Sequence, residues 1–249
     1  MILVKLGGSV ITDKSRECTA RRQNLDRLAG ELRAWDGKMV LVHGAGSFGH
    51  FKVHKYGIKD GRIPPEKIEI VTEIHRDLHL LGGYVLESLA SAGINAVLLP
   101  GHTVARVGDD GLELRGDLFA GFLAMGTVPV TNGDVVLNGS KRFAVCSGDL
   151  LMVELARQLK PEKVVFVTRA DGLVVGGKLR EEVSPDEEID DLGARGADVT
   201  GSMEGKWAAA REIARAGIPV HFVSGEVQGR VASLMKGDDV ISTRVKPPK

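Results

Sequence analysis

Apolar residues along this chain fall into two alternating arrangements: short unbroken runs and longer stretches with helical spacing. "ILVKL" (2–6) is such a run and reads as a strand buried on both faces. Leu25, Leu28, Ala29 and Leu32 then recur every three or four residues, which predicts an amphipathic helix. "MVLVH" (39–43) predicts a second strand and runs into the glycine-rich "GAGSFGH". Val71, Ile74, Leu78, Leu81 and Val85 share one face of a long helix. "NAVLLP" (95–100) and "TVPVTNGDVVLN" (127–138) read as further strands, the second containing a turn at Asn132-Gly133. "CSGDLLMVELARQL" (146–159) passes from a glycine turn into a helix, and "KVVFVT" (163–168) is a strand ending in "RADG". A helix over "GSMEGKWAAAREIARAG" closes at Gly217, and the strand "IPVHFVSG" follows. A last helix over "VQGRVASLM" precedes the terminal "ISTRV".

Strands alternating with helices imply an α/β fold whose mainly parallel sheet is covered on both faces. No internal repeat or low-complexity linker interrupts the pattern, and the stretch 176–198, rich in Gly, Asp and Glu, is the expected soft region. Ligands of such sheets bind beyond the carboxyl ends of the strands. "GGS", "GAGSFG", "SGD" and "ADG" all follow predicted strands, so these turns should gather at one edge.

Composition narrows the function. The 249 residues, 43% hydrophobic, suffice for one sizeable domain or two fused lobes. Lys plus Arg and Asp plus Glu both number 33, a balance that argues against a non-specific nucleic-acid binder. No apolar run approaches the ~20 residues that cross a bilayer. The opening "ILVKLGG" has no secretory character, so a soluble cytoplasmic protein is expected. Two cysteines, Cys18 and Cys146, make neither a disulfide framework nor a metal cluster, and no metal ligand is expected from the protein.

"GAGSFG" (44–49) matches the dinucleotide fingerprint, but the context fails. The following stretch 51–66 is basic, contains a Pro pair and reads as a loop without a strand, so Asp60 is not placed to hold a ribose. "GSMEGKW" falls one residue short of P-loop spacing and has Trp207 where Ser or Thr belongs. "HRDLHLL" (75–81) lacks the later Asn of a protein-kinase catalytic loop, and a polar face on the long helix accounts for it better. "KLGGSVITDK" (5–14) is different. Glycines let main-chain N–H groups approach phosphate oxygens, while Lys5 and Lys14 bracket the bare segment with charge. Lys5 lies inside an apolar strand, where an unpaired ammonium is costly, so it should emerge toward an anion. With four glycine turns and Lys206 at a helix start, polyphosphate binding explains the pattern better than surface lysines beside a turn.

"KLGGSVITDK", "VHGAGSFGH", "CSGD", "TRADG" and "DVTGSMEGK" occur in that order from residue 5 to 206. Together they resemble the amino acid kinase superfamily and, within it, the isopentenyl phosphate kinases. Lys14 combined with His50 is the narrower mark, shared with fosfomycin kinases. The resemblance implies a three-layer αβα sandwich with an acceptor lobe over about 1–160 and a nucleotide lobe over about 161–249. It implies ATP with Mg2+ as phosphoryl donor and isopentenyl phosphate as acceptor, with dimethylallyl phosphate and other small phosphomonoesters as further acceptors. A homodimer is implied as well. Lys5 would contact the ATP phosphates and the moving phosphoryl group, with Gly7, Gly8 and Ser9 presenting main-chain donors. Lys14 would act from the acceptor side, and Asp149 would orient the lysines. Ala45, Gly46, His50 and Gly148 would hold the acceptor, Gly46 also lying near ATP, while Thr168, Asp171, Gly201 and Lys206 would line the nucleotide site. Parts of the Val71–Leu81 face would wall the isoprenoid tail. Arg169 and Ser202 depart from the family pattern and put local nucleotide contacts in question.

The chemistry agrees with that assignment. Joining a phosphomonoester to the γ-phosphate of ATP brings two anions together, and the transfer needs positioning and charge stabilisation. The acceptor oxygen is already ionised, so no general base is required. Rival readings are a fosfomycin-type or other small phosphate kinase, a NAD-dependent dehydrogenase resting on "GAGSFG", and a non-catalytic nucleotide sensor that would need neither Lys14 nor His50.

Overall fold

The computed structural model describes residues 1–58, 62–109, 111–139, 142–189 and 203–248. In chain order these form β1 (Ile2–Leu6), α1 (Gly8–Ile11), α2 (Arg22–Leu32), β2 (Met39–His43), α3 (Gly46–Lys55), β3 (Arg62–Ile63), α4 (Ile68–Ser91) and β4 (Ala96–Leu98). There follow α5 (Gly101–Val104), β5 (Ala105–Gly108), β6 (Gly111–Leu114), α6 (Gly116–Ala124), β7 (Val128–Asn132), β8 (Asp134–Asn138), β9 (Arg142–Cys146) and α7 (Gly148–Leu159). The remainder is β10 (Lys163–Thr168), β11 (Leu173–Val175), β12 (Lys178–Arg180), β13 (Glu182–Val183), α8 (Met203–Arg215), β14 (Val220–Ser224), α9 (Arg230–Lys236) and β15 (Ser242–Val245).

The central sheet has eight strands in the order β13-β15-β14-β10-β1-β2-β7-β4. All neighbours are parallel except β14 and β15. The alternation of a strand explains the layers, because β1 feeds two cores. Ile2, Val4 and Leu6 pack with Leu25, Leu28 and Leu32 of α2, Val71 to Val85 of α4, and Leu234 of α9. Leu3 points the other way, toward Leu151 and Leu155 of α7, Trp207 and Ile213 of α8, and Phe119 of α6. This is the expected αβα sandwich. Each fully buried Leu, Ile or Val contributes roughly 1.5–3 kcal/mol, so α4 is anchored by its apolar stripe. Among the described residues, no helix is long and apolar enough to cross a membrane.

Several local expectations change. The stretch 51–66 is not all loop: α3 carries on to Lys55, Arg62–Ile63 forms β3, and Pro65–Lys67 makes a 3₁₀ turn. Asp60 lies outside the described residues. The dehydrogenase reading still lacks its second parallel strand, because β3 pairs antiparallel with β9 in a separate five-stranded sheet. That sheet is ordered β3-β9-β8-β5-β6, and Gly133 links it to the central sheet between β7 and β8. Of the expected soft region, the described part holds the turn between β11 and β12, then β12 and β13, while 190–198 lies outside the described residues. The last helix starts at Arg230, because Gly229 adopts φ +80°.

His43 at the end of β2 is fully buried, and burial outweighs its Gly44 carbonyl hydrogen bond to push its pKa down to about 4. The unfolded chain takes up this proton below about pH 6.5, and the fold does not until about pH 4. The unfolded state therefore binds more protons across that window, and stability falls as pH drops through it. Urea unfolding should show roughly 2 kcal/mol less stability from this group at pH 5 than at pH 7. His43→Gln should flatten that step, and equal midpoints for wild type at both pH values would contradict it.

Candidate active site

The carboxyl ends of β1, β2 and β10 lie side by side, and the turns after them meet. A Cβ on Gly8 would stand 2.5 Å from Gly46 N, and one on Gly44 would stand 2.5 Å from Gly8 N. Gly46 also needs its φ of +51°. The "GG" and "GAG" segments are thus glycine first because two main chains touch, which in turn packs their N–H groups into one small area. Thr12 fastens the pair: its Oγ1 donates to the Gly8 carbonyl at 2.7 Å and accepts from Ser47 N at 2.9 Å.

Lys5, only 4% exposed, reaches the edge of β1 and forms an ion pair with Asp149. Asp149 stands in the first turn of α7, where the Ser147 hydroxyl caps the helix by accepting from Leu150 N at 3.2 Å. Gly148 leaves room for this pair, since a Cβ there would lie 3.1 Å from Lys5 Cε. A cleft of about 710 Å³ opens above. Lys5, Lys14, Lys206 and His50 line it together with Gly8, Ser9, Ala45, Gly148 and Asp149. Val53, Ile74, Leu78, Val135 and Val145 form its apolar wall. The cleft has a cationic region rich in main-chain donors and a dry region beside it.

Residues 1–224 match the Amino acid kinase family. The chain belongs to this family. A curated isopentenyl phosphate kinase from Methanothermobacter thermautotrophicus is 32% identical across 98% of both chains. Another from Thermoplasma acidophilum is 33% identical over 70% of this chain and 69% of its own. Among solved structures, one described as isopentenyl phosphate kinase superposes with a TM-score of 0.84 at 30% identity, covering 98% of this chain and all of that one.

Not every residue expected at the site lines the cleft. Gly7 and Gly46 are not in the cleft lining, although their neighbours Gly8 and Ala45 are. Thr168 is buried at the end of β10, its Oγ1 donating to the Ala170 carbonyl at 2.9 Å. Asp171 is exposed and paired with Arg230 instead of facing the cleft. Gly201 and Ser202 lie outside the described residues. Arg169 is exposed, 3.5 Å from Glu226.

The family motifs do not mark the remaining wall. Val135 and Val145 are direct cross-strand partners of β8 and β9, and this register was the signal that could have paired them. Val53 follows His50 by three residues on α3, one turn along the same face. Cys146 is a small buried residue, with burial pushing its thiol up to about 12, so it stays protonated. "HRDLHLL" is more than a solvated polar face. Asp77 is buried and ion-paired with Lys52 of α3, and His75 donates to the Val135 carbonyl at 2.8 Å.

Proposed function

We propose that this kinase-family chain transfers the γ-phosphoryl group of ATP to isopentenyl phosphate, giving isopentenyl diphosphate and ADP. One observation carries the reading: a single cleft joins Lys5, Lys14, His50 and Gly148 to the wall of Val53, Ile74, Leu78, Val135 and Val145. A phosphate on a short hydrocarbon tail fits that combination, and the full-length relatives named isopentenyl phosphate kinase support it.

His50, Ala45, Gly46 and the Gly148 N–H hold the acceptor phosphate, and the wall takes the tail. Gly7, Gly8, Ser9 and Lys206 meet the ATP phosphates, with Thr168, Asp171 and Gly201 on the nucleotide side. In this reading residues 1–160 serve the acceptor and 161–249 the nucleotide. Lys5 and Lys14 stabilise charge on the phosphoryl group as it moves between two anions. Asp149 holds Lys5 in place. The two carboxylates of the cleft lining are already engaged, Asp149 by Lys5 and Asp134 by His102, so Mg2+ would arrive with ATP. That ion supplies further neutralisation of phosphate charge.

ADP release with isopentenyl phosphate, dimethylallyl phosphate and fosfomycin tests the reading. Isopentenyl phosphate should exceed fosfomycin in kcat/KM by about tenfold or more, since it carries two more carbons and each buried CH2 contributes about 0.8 kcal/mol. Dimethylallyl phosphate, with the same carbon count, should also react. Faster turnover of fosfomycin would overturn the isoprenoid assignment, and NADH binding without ATP turnover would overturn the kinase reading.

A further inference from the structure

Asp134 opens β8 directly after Gly133, and its side chain, 1% exposed, lines the same cleft as His50 and Gly148. A carboxylate in the wall of a phosphate site repels its ligand, and poor solvation extends that repulsion. The surroundings of Asp134 offset it. His102 Nδ1 donates to Oδ2 at 2.7 Å, and the His102 main-chain N–H donates to the same oxygen at 3.1 Å. Val135 N–H donates to Oδ1 at 2.8 Å. His75 stacks on His102 with ring centroids 3.9 Å apart and 18° between the planes, its Nε2 lying 3.5 Å from Oδ1.

Two imidazoles and a carboxylate this close could suggest a metal cage, but their geometry opposes one. His75 Nε2 faces the Val135 carbonyl at 2.8 Å and therefore carries a hydrogen there. Nearly parallel stacked rings also cannot aim in-plane lone pairs at one ion between them. The same contacts suit hydrogen-bond donors arranged around an anion.

We propose that His102 is a positioning residue for the acceptor site, holding the Asp134 carboxylate and offsetting its charge so that the cleft admits a phosphate dianion. The inference rests on that phosphate occupying this cleft. Contact continues from α5 to the catalytic turn. A Cβ on Gly101 would lie 2.7 Å from Asp134 Cβ and 2.5 Å from the Asn132 carbonyl, and one on Gly133 would lie 2.7 Å from Gly148 N. Gly148 precedes Asp149, the partner of Lys5. His102 thus acts through Asp134 and the turn behind it, touching neither reacting phosphate.

Initial rates with isopentenyl phosphate and ATP varied separately test this in wild type, His102→Ala, His102→Asn and the double variant His102→Ala/Asp134→Asn. His102→Ala should raise KM for isopentenyl phosphate about tenfold, the worth of a hydrogen bond to a charged group, with KM for ATP within about twofold. His102→Asn places an amide N–H where Nδ1–H was and should keep the acceptor KM within about threefold of wild type. The double variant should bring the acceptor KM back toward wild type, because a neutral amide needs no compensation. A merely structural loss would instead worsen with the second change, and thermal melting of each variant records it. Unmoved acceptor KM in His102→Ala, an equal rise for both substrates, or a double variant worse than His102→Ala overturns the inference while an active wild type leaves the functional reading standing. A wild type that releases no ADP with isopentenyl phosphate overturns both.

Discussion

Lys5→Met is expected to lower kcat by roughly 10²–10³-fold while KM for isopentenyl phosphate moves less than about threefold. The side chain is buried at the end of β1, held by Asp149, with Phe166 beneath it at 5.8 Å from ring centroid to Nζ. An ammonium fixed in so poorly solvated a place needs little reorganisation as charge develops on the moving phosphoryl group. Methionine replaces the stem of the side chain and ends one atom short, where the ammonium was, so the loss is mainly electrostatic. It has a second part: Asp149, without its partner, turns an uncompensated carboxylate toward two phosphates. Asp149→Asn, which leaves the ammonium in place, should therefore cost less than Lys5→Met. Steady-state kinetics on variants with matched circular dichroism check both. A kcat within about tenfold of wild type for Lys5→Met would remove Lys5 from the reaction, and the opposite ranking would make Asp149 the direct participant.

Lys5 also shows why part of the site was readable from the chain. Its charge contradicts the apolar run around it, and such conflicts between local pattern and residue type mark functional positions. The glycine turns were legible for a related reason, because each follows a strand and a parallel sheet collects strand ends at one edge. β1, β2, β10 and β14 were legible as unbroken apolar runs. The five-stranded sheet was not, because "ARVG" and "GLEL" in β5 and β6 are short, half-exposed and lack a continuous apolar face. Its contribution to the cleft, Val135 opposite Val145, depends on a register between segments that sequence spacing does not encode. Asp134 and His102 were hidden by the same cause, since their contact joins α5 to β8 across 32 positions. The pair of Asp171 with Arg230 was hidden in the same way, because Arg230 comes from α9, a helix that "TRADG" does not include.

Asp77 lay within the apolar stripe of α4 all along, three residues after Ile74 and four before Leu81, on the face that turns inward. There its Oδ2 receives Lys52 Nζ from α3 and the Cys18 thiol at 3.1 Å, while Lys52 also reaches Glu17 at 3.0 Å. Burial by itself would raise the Asp77 pKa, but the hydrogen bonds from Lys52 and Cys18 and the Lys52 charge outweigh it and hold the carboxyl below its usual range. Burial likewise works to lower Lys52, and the bonds to Asp77 and Glu17 raise it overall. The depressed carboxyl contributes stability above its unfolded pKa, near 4, that is lost as pH falls through its folded value. The raised ammonium contributes below its unfolded pKa, near 10.4, and loses that as pH rises through its folded value, so the pair is intact across neutral pH. Asp77→Ala should therefore destabilise by about 3–5 kcal/mol at pH 7, because it leaves the Lys52 ammonium buried against Cys18 with only the exposed Glu17. Replacing both charges, as Asp77→Leu with Lys52→Met, should cost less than either single change, since no unpaired ion remains. Urea unfolding of the three variants decides it, and a loss under about 1 kcal/mol for Asp77→Ala would mean that Lys52 finds another partner. The clamp also has a kinetic signature. His50 stands two residues before Lys52, and Ile74 and Leu78 flank Asp77, so loosening α3 from α4 separates the histidine proposed to hold the acceptor phosphate from the apolar wall. KM for isopentenyl phosphate should then rise in folded Asp77→Ala while KM for ATP holds, because Gly8 and Lys206, proposed to meet the ATP phosphates, sit on other elements.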